Sequence, residues 1–133
     1  MLISIIIILI ITIDYSNSMI SNKKNIKGVI FDLDGTLIDT ETLSTKAIQR
    51  CLDTYNVRFP GIELKRKIIG LPGLKWTKMV IDDCGLNDVY EPSIFLTEWE
   101  KNLQIICEED GIMKMNGANE LTLSLKNLDI QMV

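Results

Sequence analysis

A short apolar run that ends in two aspartates constrains the fold of this chain more than any other stretch. The run Val29–Phe31 consists of strand-forming residues and follows a glycine, which predicts a buried parallel strand. Asp32 and Asp34 come directly after it, and Gly35 allows a sharp turn and the close approach of a ligand. Because ligands of open α/β sheets bind at the carboxyl ends of the strands, we expect both carboxylates at a functional edge of a sheet.

Paired carboxylates at this position suggest two kinds of chemistry. An EF-hand calcium loop beginning at Asp32 would need a glycine and a glutamate at the positions that Leu37 and Leu43 occupy, so this loop is excluded. Phosphoryl transfer needs one carboxylate that attacks phosphorus and a second that exchanges a proton with the leaving group. The spacing of Asp32 and Asp34 suits that division of roles.

The same motif points to a protein family. Residues 32–41, Asp-Leu-Asp-Gly-Thr-Leu-Ile-Asp-Thr-Glu, resemble the first signature motif of the haloacid dehalogenase superfamily of phosphohydrolases. The resemblance implies an α/β fold with a Rossmann-like core and an inserted helical cap. It also implies that Asp32 forms an aspartyl-phosphate and that Asp34 is the general acid/base. Mg²⁺ is then expected to be bound by Asp32, by a backbone carbonyl at Asp34 and by the phosphate. Gly35 and Thr36 are then expected to bind the phosphate.

Composition excludes several other classes of function. The 133 residues are 47% hydrophobic and 24% charged, which is typical of a globular domain or part of one. A net charge of −4 provides no attraction to a phosphate backbone, so nucleic acid is not an expected partner. The absence of histidine excludes a Ser-His-Asp triad, a Cys-His pair and histidine-ligated zinc. Carboxylate chemistry is left as the main option.

Five side chains with chemical potential are predicted to be structural. Cys51, Cys84 and Cys107 are far apart and odd in number, so they indicate neither a redox or zinc pair nor a closed set of disulfides. Each lies on or beside an apolar helical face, where a buried thiol is expected. Trp76 and Trp99 could stack on a substrate, but their helical spacing favours a place in the core.

The first 25 residues allow two interpretations. The apolar run Leu2–Ile13 is shorter than the roughly 20 residues of a membrane span, and its length fits the apolar region of a secretory signal. Ser16–Ser18 could be the cleavage site, but no lysine or arginine precedes the run. Alternatively, Met19 is the true start and the preceding residues are an extension of the gene model. We expect a cytoplasmic protein, with a secreted or membrane-anchored form if the run is genuine.

Four helical stretches follow the motif and predict the cap. The first follows the motif directly, and the others are bounded by Pro60-Gly61, Gly70 and Gly85, with Ser93 as the N-cap of the fourth. Successive helices at this point resemble the cap of superfamily members that act on small phosphorylated metabolites. We therefore predict a cap over residues 43–113 and a partial core over residues 26–42 and 114–133.

A glycine-containing loop within this cap is a candidate substrate contact. The segment Gly70-Leu-Pro-Gly-Leu-Lys75 lies where relatives place a loop that reaches the substrate. The resemblance makes Gly70 and Lys75 candidate substrate-binding residues. For Lys75, an ordinary solvated surface lysine is the alternative.

The last residues are expected to return to the core. Residues 116–128 predict a capped helix, and Ile130–Val133 predicts a second buried strand. The family's second motif, its later lysine and its remaining acidic Mg²⁺ ligands are expected beyond Val133. A strand with few sheet neighbours exposes apolar surface, so we do not expect a stable sheet from these residues alone.

The function implied by the resemblance is hydrolysis of a small phosphomonoester. We interpret the chain as the amino-terminal portion of a capped, Mg²⁺-dependent phosphatase, most similar to the pseudouridine-5′-phosphatase, FMN phosphatase and β-phosphoglucomutase group. A nucleotide, FMN or a sugar phosphate is the expected substrate. The alternative is a non-catalytic fragment or helical binding module without phosphatase activity.

Overall fold

The computed structural model describes residues 8–11 and 26–133. The described residues form two compact units, one comprising those up to Thr40 together with Ile112–Val133, and the other comprising Glu41–Gly111. The elements in chain order are β1 (Ile8–Ile11), β2 (Gly28–Phe31), α1 (Thr40–Asp53), α2 (Ile62–Ile68), α3 (Gly73–Asp83), α4 (Pro92–Asp110), α5 (Ala118–Asn127) and β3 (Gln131–Met132). The predicted α/β class is confirmed.

The first unit contains a small sheet in the order β1-β2-β3. Strands β2 and β3 pair in parallel, with Val29 opposite Met132, as the sequence predicts. The prediction that this second strand is buried is wrong, because both residues of β3 are exposed. The ladder continues beyond β3, because the Val133 amide donates to the carbonyl of Val29 at 3.0 Å. A parallel pair needs a crossover connection, and here it contains all five helices of the described residues.

Strand β1 was not predicted. It pairs with β2 in antiparallel fashion, with Ile10 opposite Val29. The rest of the apolar run Leu2–Ile13, together with Ser16–Ser18 and Met19, lies outside the described residues, so the signal, anchor and extension hypotheses stay predictions. Among the helices that the structure describes, none is long and apolar enough to cross a membrane.

Only one face of β2 is well covered. Val29 is 4% exposed, whereas its neighbour Ile30 is 38% exposed. Adjacent residues of a strand point to opposite faces, so the described residues bury one face and leave much of the other accessible. The prediction of a fully buried strand is therefore wrong for Ile30. The expectation of exposed apolar surface is confirmed, because Leu128 and Val133 are also exposed.

The second unit consists of α1–α4 and has its own hydrophobic core. All four predicted helices are present, and α1 buries the apolar face that its sequence predicts. The main cluster contains residues from every helix of this unit, with Phe95 among its fully buried side chains. The buried members are Ile48, Cys51, Leu52, Leu64, Ile68, Val80, Ile81, Leu86, Tyr90 and Phe95.

The predicted start of α4 was wrong. The helix begins at Pro92, with Glu91 as the N-cap, so Ser93 lies within the first turn. Proline is favoured at the first helical position because its fixed φ suits a helix. It also loses no hydrogen bond there, because an N–H at this position has no intrahelical partner. Proline therefore sets the start of this helix, rather than the hydroxyl of Ser93.

Candidate active site and a pocket in the helical unit

The turn that follows β2 is closed by its own backbone. The Gly35 amide donates to the Ile38 carbonyl at 2.8 Å, and the Leu37 amide donates to the Leu33 carbonyl at 3.0 Å. Gly35 has a φ of 71°, a left-handed conformation that glycine adopts at little cost. The sharp turn predicted at this glycine is confirmed.

This turn is also attached to the stretch that precedes α5. The Met115 amide donates to the Leu37 carbonyl at 2.9 Å, and the Asp39 amide donates to the Met113 carbonyl at 2.8 Å. Ile38 forms isolated bridges with both Asp34 and Lys114. The segment is therefore held by β2 on one side and by residues 113–115 on the other, which limits its movement.

The structure brings four of the predicted site residues into this one turn. The side chains of Asp32 and Asp34 are exposed, whereas Thr36 is 7% exposed. Gly35 lies between Asp34 and Thr36 and is partly exposed. Because it has no side chain, a ligand can approach its backbone closely. The carboxylates are thus accessible for chemistry on a segment that its hydrogen bonds hold in place. Their roles stay predictions.

The oxygen atoms of this turn fit Mg²⁺ better than they fit a cation that takes all its ligands from the protein. Mg²⁺ prefers oxygen ligands and is usually bound by one or two carboxylates together with waters and substrate phosphate. The exposed carboxylate of Asp32 and the backbone carbonyl of Asp34 could supply two of these oxygens, which leaves the carboxyl group of Asp34 available to carry a proton. Within residues 8–11 and 26–133, no group of three or more His, Cys, Asp or Glu residues could hold a metal ion.

The helical unit has a pocket of about 160 Å³. It combines a few polar groups with a larger apolar surface, and both tryptophans of the chain contribute to it. The lining residues are Glu41, Ser44, Ile48, Lys65, Ile68, Ile69, Gly70, Leu71, Trp76 and Trp99. This volume is smaller than that of most ligand-binding pockets, which measure about 300–1,000 Å³.

A buried lysine organises the polar side of this pocket. The side chain of Lys65 is 10% exposed, and its Nζ lies 2.8 Å from Oε2 of Glu41. The same ammonium donates a hydrogen bond to Oγ of Ser44 at 3.2 Å. The indole Nε1 of Trp99 donates to the Ser44 carbonyl at 3.2 Å, so this part of α1 contacts both α2 and α4.

Sequence reasoning missed Lys65 as a pocket residue. The only available signal was its position three residues before the buried Ile68 on α2, which places it beside the apolar face of that helix. Both tryptophans pack against the core, as predicted, but they also line the pocket, with their ring centroids 5.1 Å apart.

The two candidate residues of the glycine-containing loop have different surroundings. Gly70 lines the pocket and has a φ of 76°, so a larger residue there would be strained. Lys75 is exposed on α3 and does not contribute to the pocket lining. Their assignment as substrate contacts stays a prediction.

The cysteines of the helical unit have the structural character that the sequence predicts. Cys51 is buried, Cys84 and Cys107 are partly buried, and all three are free thiols. Burial raises the pKa of the Cys51 thiol, although Asn102, which donates to its sulfur at 3.3 Å, opposes that shift. Burial also raises the pKa of Cys84.

We expect Cys51 to be the slowest of the three to react with a thiol reagent at mildly alkaline pH. Cys51 is 1% exposed, so a reagent reaches its sulfur less readily than those of the partly buried Cys84 and Cys107. Its raised pKa also leaves less of the thiolate, which is the nucleophilic form. Timed alkylation followed by peptide mass spectrometry measures the order, with urea-unfolded protein as the control in which the three rates converge. Native Cys51 reacting as fast as Cys107 would contradict this account.

Comparison with known proteins agrees with the fold and the motif. The sequence model of the haloacid dehalogenase-like hydrolase family matches residues 29–133. The chain therefore belongs to the haloacid dehalogenase-like hydrolase family. A solved structure from Thermotoga maritima, described as a "putative beta-phosphoglucomutase", superposes with a TM-score of 0.56 at 24% identity. The match covers 77% of this chain and 46% of the solved chain, and it supports the Rossmann-like fold.

Two curated relatives carry phosphatase names. The mitochondrial (DL)-glycerol-3-phosphatase 1 of Arabidopsis thaliana is 32% identical over 101 residues, which are 76% of this chain and 33% of the relative. A protein of Saccharomyces cerevisiae named a probable pseudouridine-5′-phosphatase is 32% identical over 109 residues, or 79% of this chain and 44% of the relative. The chain thus spans less than half the length of either relative.

Proposed function

We propose that the protein is a Mg²⁺-dependent phosphatase that hydrolyses a small phosphomonoester through an aspartyl-phosphate at Asp32. The observation that carries the proposal is the pair of exposed carboxylates, Asp32 and Asp34, on a hydrogen-bonded turn at the carboxyl end of β2. Membership of a hydrolase family and the phosphatase names of the relatives support it.

The chemistry divides between the two aspartates. A carboxylate oxygen of Asp32 attacks phosphorus, and the bond between phosphorus and the leaving-group oxygen breaks. Asp34, in its protonated form, gives its proton to that oxygen, so a neutral alcohol is released. Asp34 then takes a proton from a water that attacks the phosphorus of phospho-Asp32, which releases inorganic phosphate and restores the free carboxylate.

The surrounding residues assist by position and charge. Mg²⁺, held by the carboxylate of Asp32 and the backbone carbonyl of Asp34, would neutralise charge on the transferring phosphoryl group. Gly35 and Thr36 are proposed to contact the phosphate, and the partly exposed Gly35, which has no side chain, suits a close approach to its backbone. Under this proposal the sheet-containing unit is a partial catalytic core, the helical unit is a cap, and Gly70 and Lys75 contact the substrate. The protein is proposed to act in the cytoplasm.

The names of the relatives indicate the kind of substrate. They refer to glycerol-3-phosphate and pseudouridine-5′-phosphate, both small phosphomonoesters. We extend this class to the present protein as a small phosphorylated metabolite, with nucleotide, FMN and sugar phosphates as candidates. Release of phosphate from a panel of these compounds, measured with the full-length gene product, tests the proposal.

We expect removal of divalent cation to abolish this activity. Chelation with EDTA should lower phosphate release to background, and added Mg²⁺ should restore it, because Asp32 and Asp34 supply only part of a cation's ligands and bind it reversibly. Far-UV circular dichroism with and without EDTA provides the control for folding. Full phosphatase activity in EDTA would contradict the Mg²⁺ requirement but not the proposed hydrolysis of phosphomonoesters.

A non-catalytic binding protein is the competing proposal. The observation that favours it is that residues 41–111 form a compact unit with their own core and a pocket of about 160 Å³. Binding of a partner or ligand by this unit would not require phosphoryl transfer. Folded protein that releases no phosphate from any member of the panel, with or without Mg²⁺, would support this alternative and overturn the proposed phosphatase function.

A further inference from the structure

One asparagine of this chain is followed by glycine. The pair is Asn116-Gly117, and it lies between residues 113–115, which hold the turn that follows β2, and the start of α5. The other asparagines of the sequence are followed by larger residues. Because glycine has no side chain, its backbone nitrogen can approach the preceding side-chain amide more closely than that of a larger residue. Asn116 is therefore the asparagine whose amide is most open to attack by the main chain.

The surroundings of this pair leave both reacting groups accessible. Asn116 and Gly117 are exposed, and among the described residues no backbone hydrogen bond has the Gly117 amide as its donor. Gly117 precedes the helix with a φ of 84°, so helical hydrogen bonding does not restrain its nitrogen. Asn119 differs in both respects, because it lies within α5 and its side-chain oxygen accepts from Nζ of Lys114 at 3.0 Å.

The reaction that follows from this arrangement needs only water. The Gly117 nitrogen attacks Cγ of Asn116 and closes a succinimide ring, and the side-chain nitrogen leaves as ammonia with the proton that the Gly117 amide loses. Water then opens the ring at either carbonyl. Cleavage of the bond between the nitrogen and Cγ gives aspartate. Cleavage of the bond between the nitrogen and the main-chain carbonyl carbon gives isoaspartate, in which the main chain runs through the former side chain.

The two products differ in their effect on this part of the fold. Aspartate adds a negative charge just before α5, where the helix dipole is favourable to it. Isoaspartate instead adds a methylene group to the main chain between Met115 and Gly117. The Ala118 amide donates to the Met115 carbonyl at 3.1 Å, and the Met115 amide donates to the Leu37 carbonyl at 2.9 Å. A longer main chain disturbs this bonded arrangement and so reaches the turn that Met115 holds.

We infer that Asn116 is a site of spontaneous deamidation in the folded protein, and that isoaspartate formed there weakens the attachment of the turn after β2 to residues 113–115. The inference uses contacts within the sheet-containing unit alone. It does not depend on the proposed phosphatase activity, so neither can fail because of the other.

Timed incubation of the full-length gene product in warm, mildly alkaline buffer tests the first part. Peptide mass spectrometry should show a gain of about 1 Da at Asn116 before any other asparagine, and electron-transfer fragmentation should identify isoaspartate there. Asn116→Gln should abolish the gain, because ring closure from glutamine is slower, and Asn119→Gln is the matched control that should keep it. Native Asn116 that stays intact while urea-unfolded protein converts would overturn the inference, as would earlier conversion of Asn119.

Hydrogen exchange tests the second part. Protein in which most molecules have isoaspartate should exchange the Met115 amide about tenfold faster than fresh protein, the scale on which loss of one hydrogen bond acts. Asn116→Asp has the same added charge with a main chain of normal length, so it should exchange like fresh protein. Equal protection of Met115 in fresh and isoaspartate-containing protein would overturn the effect on the turn. Equally fast exchange in Asn116→Asp would assign the effect to charge and overturn it as well.

Discussion

Replacing Asp32 with asparagine should lower phosphomonoester turnover by about 10⁴-fold or more, the scale on which loss of a nucleophile acts. An amide cannot displace the alcohol from phosphorus and form an acyl phosphate. The substitution also removes the carboxylate that is proposed to bind Mg²⁺. Steady-state release of phosphate by the full-length gene product measures the loss.

Asp83→Asn is the matched control for this variant. It makes the same change of charge at an exposed residue at the end of α3, far along the chain from the proposed machinery. We expect this control to keep the activity of the unchanged protein. Asp32→Asn that folds normally and retains more than a small fraction of activity would contradict the nucleophile assignment.

Phe95→Ala should destabilise the helical unit by about 3–5 kcal/mol, the usual cost of replacing a buried phenylalanine. The ring of Phe95 is fully buried and contacts two other aromatic rings, with centroid distances of 4.9 Å to Tyr90 and 5.9 Å to Trp76. Its removal leaves a cavity among residues that cannot fully collapse into it. A domain is commonly stable by only about 5–15 kcal/mol, so this loss should be evident.

The neighbouring residue supplies the control for this prediction. Ile94 is on the same helix and is 53% exposed, so Ile94→Ala should change the free energy of unfolding by only about 0.5 kcal/mol. Urea unfolding followed by far-UV circular dichroism measures both variants. Similar losses from Phe95→Ala and Ile94→Ala would show that Phe95 does not have the central place in the core that the structure gives it.

The elements predicted correctly from the sequence are those with a local signal. Strand β2 follows from an apolar run and a terminal glycine turn, and the helices follow from apolar residues at helical spacing. The turn at Gly35 follows from glycine's access to positive φ, which the structure confirms. Local composition was therefore sufficient for most of the fold and for the residues of the candidate turn.

The features that the sequence did not predict depend on contacts between distant residues. Strand β1 is defined by its pairing with β2, which no local pattern of Ile8–Ile11 specifies. Lys65 belongs to a residue type that is usually exposed, and it is buried here because Glu41 and Ser44 on another helix provide partners. The pocket depends on the same long-range packing and was missed for the same reason.

Chemical trapping of the acyl phosphate tests the central claim most directly. Full-length protein would be mixed with a phosphomonoester that it hydrolyses and then treated with borohydride, which reduces an acyl phosphate to an alcohol. Peptide mass spectrometry would then locate the reduced residue. The account predicts reduction at Asp32 that requires substrate and disappears in Asp32→Asn. Reduction at another carboxylate, or active hydrolysis with no reduction at Asp32, would contradict it.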